Sequence, residues 1–211
     1  MAILLTEFIG TFFLVLTIGL SVLSGTPMAP LAIGAMLMVM VYMGGHVSGA
    51  HYNPAVTLAV ALAGKIEKAK LLPYWLSQFA GALAAAGVVQ AILGKTFAPA
   101  PGQGASELGA YLVELLFTFA LALVVLNVAA SDKTKGNSFY GLAIGFTVAA
   151  AAFAGGGISG GAFNPAVGVG PTVVQALAGG GGYGHLALYL IGPLLGGALA
   201  AVVFRIQRKA P

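Results

Sequence analysis

Residues 48–57 read Ser-Gly-Ala-His-Tyr-Asn-Pro-Ala-Val-Thr, and the same Asn-Pro-Ala-Val returns at Asn164-Pro165-Ala166-Val167. Both copies lie in a longer repeat. Residues 31–56, LAIGAMLMVMVYMGGHVSGAHYNPAV, match residues 142–167, LAIGFTVAAAAFAGGGISGGAFNPAV, at a constant offset of 111 with 12 of 26 positions identical. At average residue usage an Asn-Pro-Ala tripeptide is expected about once per several thousand positions. Two copies in register are therefore not a coincidence of a chain rich in Ala and Gly.

Asn is a favoured helix N-cap and Pro is favoured at the first helical position. Helices therefore begin at Pro54 and Pro165, capped by Asn53 and Asn164. Gly64 and Gly179 are C-terminal stops, which gives short helical segments over 53–63 and 164–178. A helix of about 12 residues is about 18 Å long, against about 30 Å for the hydrocarbon core of a bilayer. Each segment is thus a half-helix. The glycine-rich stretches before them, 44–52 and 155–163, read as non-helical backbone at membrane depth.

The rest of the chain is membrane-spanning. Of 211 residues, 59% are hydrophobic and 7% charged, and the mean hydropathy is +1.00. A soluble domain carries roughly 25% charge, so a soluble enzyme domain and a disordered chain are both excluded. With no cysteine and three histidines, there is no material for thiolate chemistry, and no catalytic residue, metal site or cofactor is expected. Residues 8–64 hold no charge, too long a run for one span. Six spans fall near 3–23, 31–47, 71–93, 108–130, 139–156 and 185–205. Glu7 interrupts the first apolar run, which also lacks the basic start of a secretory signal.

The chain divides into two repeats within a single domain 1–211. Residues 1–107 hold three spans with the half-helix 53–63, and residues 108–211 hold three with the half-helix 164–178. Three is odd, so the second repeat enters the membrane upside down and the half-helices meet near its midplane from opposite sides. Eight basic residues, among them Lys65, Lys133 and Arg205, fall on one face of this arrangement and only Lys95 on the other. The positive face marks the cytoplasm and places both termini there.

On these motifs the chain resembles the aquaporin (major intrinsic protein) family over essentially its whole length. The resemblance implies an all-α membrane fold of six transmembrane helices and two re-entrant half-helices. It implies one pore per subunit, a homotetramer in the cell membrane, and passive flow of water or small neutral solutes, with no nucleic-acid partner. It places Asn53, Pro54, Ala55, Asn164, Pro165 and Ala166 at the pore centre. Backbone carbonyls of Gly49, Ala50 and His51, and of Gly160, Gly161 and Ala162, form the acceptor ladder. Glu7 and Glu114 match glutamates that brace the two loops, and a carboxylate inside a span is expected to be paired in any case.

The departure lies in the selectivity filter. By the family pattern the four filter positions are Ile33, Ala152, Gly161 and Val167, and residue 167 is where the family usually has Arg. This set is small, apolar and uncharged, which predicts a wide constriction and leaves water, ammonia, urea, glycerol and hydrogen peroxide as solutes. A secondary transporter shares inverted repeats and broken helices, and a non-conducting structural protein is the other alternative. Tyr74 and Trp75 read as an interface belt, and Gly81, Gly196 and Gly197 as close helix crossings. His46 reads as a packing or hydrogen-bonding residue near the cytoplasmic mouth, and His185 as the start of the last helix at the outer interface.

Overall fold

The computed structural model describes residues 1–209; the last two residues of the expected second repeat lie outside it. Among the described residues eight α-helices follow one another: α1 (Ala2–Leu23), α2 (Ala29–Ser48), α3 (Pro54–Leu62), α4 (Leu71–Leu93), α5 (Glu107–Val128), α6 (Tyr140–Ser159), α7 (Pro165–Leu177) and α8 (Leu186–Gln207). Among the described residues six are long and apolar enough to cross a bilayer. Their outward faces remain apolar: Leu76, Leu116 and Phe153 are each more than half exposed. In water such faces would drive association, whereas in lipid they are the proper solvent-facing surface. The chain is an integral membrane protein.

Lipid gives apolar side chains no reason to leave it, so the helices are held by close backbone approach. Helix α4 packs on α1 and α8 on α5, while α2 and α6 cross at the centre. A methyl built on Gly81 would sit 2.5 Å from the carbonyl oxygen of Phe8, and one on Gly196 would sit 2.3 Å from that of Leu115. At the central crossing Gly34 and Gly145 each face the other's carbonyl oxygen, at 2.5 and 2.4 Å from such a methyl. The expected close crossings at Gly81, Gly196 and Gly197 are all present; Gly197 lies against the carbonyl of Ala55 in α3.

The short helices run Pro54–Leu62 and Pro165–Leu177. Asn53 and Ala63, and Asn164 and Ala178, flank them as caps rather than belonging to them. At 9 and 13 residues they are about 14 and 20 Å long. Gly64 and Gly179 follow with φ of +74° and +76°, as a helix-stopping glycine requires. Helix α3 packs on α8 and α7 on α4, so each short helix is seated on the last long helix of the other half of the chain.

One expectation is corrected here. The glycine-rich stretches 44–52 and 155–163 are not irregular throughout. Helix α2 continues through Gly44–Ser48 and α6 through Gly155–Ser159, and only four residues remain in each loop. The helical cost of glycine is about 1 kcal/mol, less than the cost of leaving peptide groups unbonded away from water. Both helices then stop on glycines in the left-handed region, Gly49 at φ +86° and Gly160 at φ +88°.

Candidate functional site

The N-terminal ends of α3 and α7 face one another. The Asn53 side-chain oxygen accepts from the backbone N–H of Ala55 (2.9 Å) and Val56 (3.4 Å), and that of Asn164 accepts from Ala166 (2.9 Å). The amide nitrogens cross over. Asn53 Nδ2 donates to the carbonyl of Phe163 at 2.9 Å, and Asn164 Nδ2 donates to that of Tyr52 at 2.9 Å. Each amide nitrogen carries two hydrogens, so one on each side chain is left over at the junction. Both asparagines line a single cavity of about 450 Å³. The partial positive charge of two helix N-termini meets there.

Two buried glutamates hold the loops that lead into these helices. Glu7 Oε1 accepts from Ser48 Oγ (2.7 Å) and the N–H of His51 (2.9 Å), and Oε2 accepts from the N–H of Tyr52 (2.7 Å) and from Gln78 Nε2 (2.8 Å). Glu114 Oε1 accepts from Ser159 Oγ (2.7 Å) and the N–H of Ala162 (2.9 Å), and Oε2 accepts from the N–H of Phe163 (2.6 Å). These bonds hold Tyr52 and Phe163 at φ of +49° and +48°, a region that costs a residue with a Cβ roughly 1–2 kcal/mol.

The same bonds decide where the carbonyls go. In a trans peptide the C=O and N–H point in opposite directions. The N–H groups of Ala162 and Phe163 turn to Glu114 and that of Gly161 to Ser159 Oγ. The carbonyls of Gly160, Gly161 and Ala162 are therefore directed away from the brace. In the first loop the N–H groups of His51 and Tyr52 turn to Glu7 and that of Ala50 to Ser48 Oγ, which directs the carbonyls of Gly49, Ala50 and His51 away likewise. Five of these six residues line the cavity; Gly49 does not.

Ile33, Ala152, Gly161 and Val167 all line this same cavity. Ile33 and Val167 are buried, at 8% and 3% exposure. Leu14, Leu37, Leu121 and Val148 continue an apolar wall. Among the described residues the lining holds no Asp, Glu, Lys or Arg. The arrangement offers a narrow set of polar backbone groups, two amide donors and the imidazole of His51 inside an otherwise apolar cavity.

Several residues of this site were not apparent from the sequence. Tyr74 is not part of an interface belt, and the half-buried Trp75 is tied to a helix end. Tyr74 is buried and its hydroxyl donates to the carbonyl of Ser48 at 2.7 Å, while Trp75 Nε1 donates to that of Pro54 at 2.9 Å. Tyr74 supplies a donor to the carbonyl of the last residue of α2, which has no partner within its own helix, while Trp75 adds a donor to the first carbonyl of α3; neither demand is visible in composition. Tyr189 does the same for Ser159 at 2.5 Å. Gln78 Nε2 also donates to Thr57 Oγ1 at 2.9 Å, and Thr57 passes its own hydrogen to the carbonyl of Asn53 at 3.0 Å. With that hydrogen spent, His51 Nδ1, 3.2 Å from Thr57 Oγ1, is the donor of their bond, and His51 Nε2 is left as an acceptor. The loop residues Phe97 to Ala100 also line the cavity. The spacing of Gln78 one helical turn after Tyr74 was the available signal for the first group; nothing in the sequence marked the second. His46 is exposed, and His185 caps α8.

The profile of the family described as Major intrinsic protein matches residues 1–204. "Aquaporin NIP1-4" of Oryza sativa subsp. japonica is 37% identical over 215 residues, covering 97% of this chain and 76% of that protein. "Glycerol uptake facilitator protein-like 6" of Lactiplantibacillus plantarum is 37% identical over 216 residues, covering 96% of each. In fold, the chain superimposes on the aquaglyceroporin from Plasmodium falciparum with a TM-score of 0.83 at 24% identity, over 99% of this chain and 96% of that one. The chain belongs to the major intrinsic protein family.

Proposed function

We propose that this chain is a passive, bidirectional channel for water and small uncharged solutes, with a filter wide enough for molecules of the size of urea and glycerol. The observation that carries the reading is the cavity of about 450 Å³ in which Asn53, Asn164 and the apolar set Ile33, Ala152, Gly161 and Val167 meet. A solute in it exchanges its water for loop carbonyls and two amide donors. A bare cation finds no side-chain charge to pair with and meets two positive helix ends. Cation exclusion therefore rests on α3 and α7, because Val167 gives the outer filter no positive charge. That one relative bears the name of a glycerol uptake facilitator supports polyols among the solutes.

In this reading Glu7 and Glu114 are structural braces of the loops and take no part in proton transfer. Residues 1–107 and 108–211 are inverted repeats, the basic face and both termini lie in the cytoplasm, and four copies assemble in the cell membrane with one pore each. Stopped-flow swelling of liposomes carrying the purified chain tests the function. Water, urea and glycerol should all equilibrate faster than in empty liposomes and without saturation. Permeability to water alone would overturn the wide filter, and swelling no faster than in empty liposomes would overturn the channel.

A further inference from the structure

The filter residues leave the outer half of the cavity without a bulky side chain, yet the cavity is not bare there. Phe97, Ala98, Pro99 and Ala100, from the connection between α4 and α5, line it too. This connection is pinned at both ends. On one side the buried Phe97 ring fills the space over Gly19 of α1, where a methyl would sit 2.5 Å from the ring and 2.6 Å from Val89 of α4. On the other side the N–H of Gly102 donates to the carbonyl of Ile158 at 3.0 Å, in the last turn of α6. The approach is so close that a methyl on Gly102 would lie 1.9 Å from the carbonyl oxygen of Gly157. A methyl on Gly160 would meet the backbone of Ala100 at 2.6 Å.

Helices α1 and α6 form walls of the cavity through Val22 and Gly156, so a segment tied to both passes over its mouth. Five residue steps of extended chain reach about 16 Å. The crossing residues are Ala98-Pro99-Ala100-Pro101. Each proline fixes its own φ, and each biases the alanine before it to extended backbone. The crossing is therefore stiff, and it carries only methyl groups and proline rings. Behind it lies a second, smaller cavity of about 180 Å³, bordered by Ala98, Pro99 and Ala100 and by Thr172, Gln175 and His185. The segment is a thin wall between two spaces, and its displacement would join them.

We propose that Ala98–Pro101 is a specificity-determining crosspiece that sets the upper size limit for neutral solutes at the outer mouth, the task the small filter residues leave undone. The inference rests on the channel reading above. Its chemistry selects by size: small solutes such as urea and glycerol pass beside an uncharged, stiff bar, and larger polyols do not.

The test uses the full chain in liposomes, with water, glycerol, erythritol and xylitol as probes. The double variant Pro99→Gly/Pro101→Gly keeps both anchors and removes the stiffness. The permeability of the largest solutes relative to water should rise about tenfold, the change that a modest lowering of the barrier produces. The chain has no cysteine, so the variant Ala100→Cys provides one unique labelling site. A bulky thiol reagent there should cut erythritol and glycerol flux more than water flux, while a small one should not. This readout depends on no loss of folding, since the same sample is measured before and after labelling. Size ratios that stay fixed in the double variant, together with bulky labelling that lowers all fluxes equally or none, would overturn the crosspiece. A wild-type chain that conducts none of the probes would instead overturn the channel reading beneath it.

Discussion

The two glutamate braces are alike in role but not in their partners, and the difference can be measured. Glu7 accepts four hydrogen bonds and Glu114 three. The fourth donor at Glu7 is Gln78. In the second half Pro193 stands four residues after Tyr189, as Gln78 stands four after Tyr74, and Gly168 takes the place of Thr57. Consider Glu7→Gln and Glu114→Gln. In each the new amide nitrogen must face at least one backbone N–H that cannot turn away, His51 or Tyr52 in the first case and Ala162 or Phe163 in the second. Leaving a buried N–H unpaired costs about 1–3 kcal/mol. That term is common to both variants, and the relief of removing a buried charge is no smaller at Glu114, whose carboxylate has fewer donors. What remains is one additional charge-assisted bond lost or reversed at Glu7, about 1.5–3 kcal/mol. Glu7→Gln should therefore destabilise the protein more than Glu114→Gln by roughly that amount. Trp75 is the only tryptophan, and its indole donates to the carbonyl of Pro54, so its fluorescence reports on the first loop during unfolding in mixed micelles. Equal destabilisation of the two variants, or a greater effect at Glu114, would refute the reasoning from donor count.

The other predictions are more local. Val167→Arg should bring a long cation to the filter and reduce urea and glycerol flux far more than water flux in liposomes; unchanged glycerol flux would remove residue 167 from the constriction. Gly196→Ala places a methyl 2.3 Å from the carbonyl oxygen of Leu115 and should lower stability by about 1–3 kcal/mol. Gly87→Ala, with nothing within 4 Å of the new methyl, should be neutral or raise stability by about 0.5–1 kcal/mol, and thermal unfolding in detergent compares the two. Asp132, on the basic face, is held below its ordinary value of 3.8, first by the side-chain hydrogen bond from Lys65 and then by the Lys65 charge. Its contribution to stability is present above that value and is lost only as pH falls through the lowered one. Asp132→Asn should thus differ from the parent at neutral pH and converge with it in strong acid. Because the carboxylate is exposed, the difference should be small and should shrink with added salt.

The features that could be read from the sequence are those whose causes are local. An Asn followed by Pro begins a helix wherever it stands, because the cap and the missing N–H belong to the two residues themselves. Spans of apolar residues must close their own backbone bonds in lipid, so the expected stretch 31–47 falls inside α2 and 139–156, apart from its capping Phe139, inside α6; these helices run to Ser48 and Ser159. The same rule, applied more strictly, would have carried those two helices through their glycines. What could not be read is set by partners far away in the chain. Gln78 matters because Glu7, 71 residues earlier, needs a fourth donor. Phe97 matters because Gly19 leaves a space on α1. Neither need is written near the residue that meets it. The repeat offers a partial route past this limit. Where the two halves agree, as at Ser48 and Ser159, the common demand of a glutamate-held loop accounts for the match. Where they part, as at Thr57 and Gly168 or Gln78 and Pro193, one half carries a hydrogen-bond chain from Glu7 through Gln78 and Thr57 to the Asn53 carbonyl and the other does not. Those unmatched positions, rather than the shared motif, make the two sides of the pore centre chemically different: an imidazole acceptor, His51, stands on one side, and the small Ala162 stands on the other.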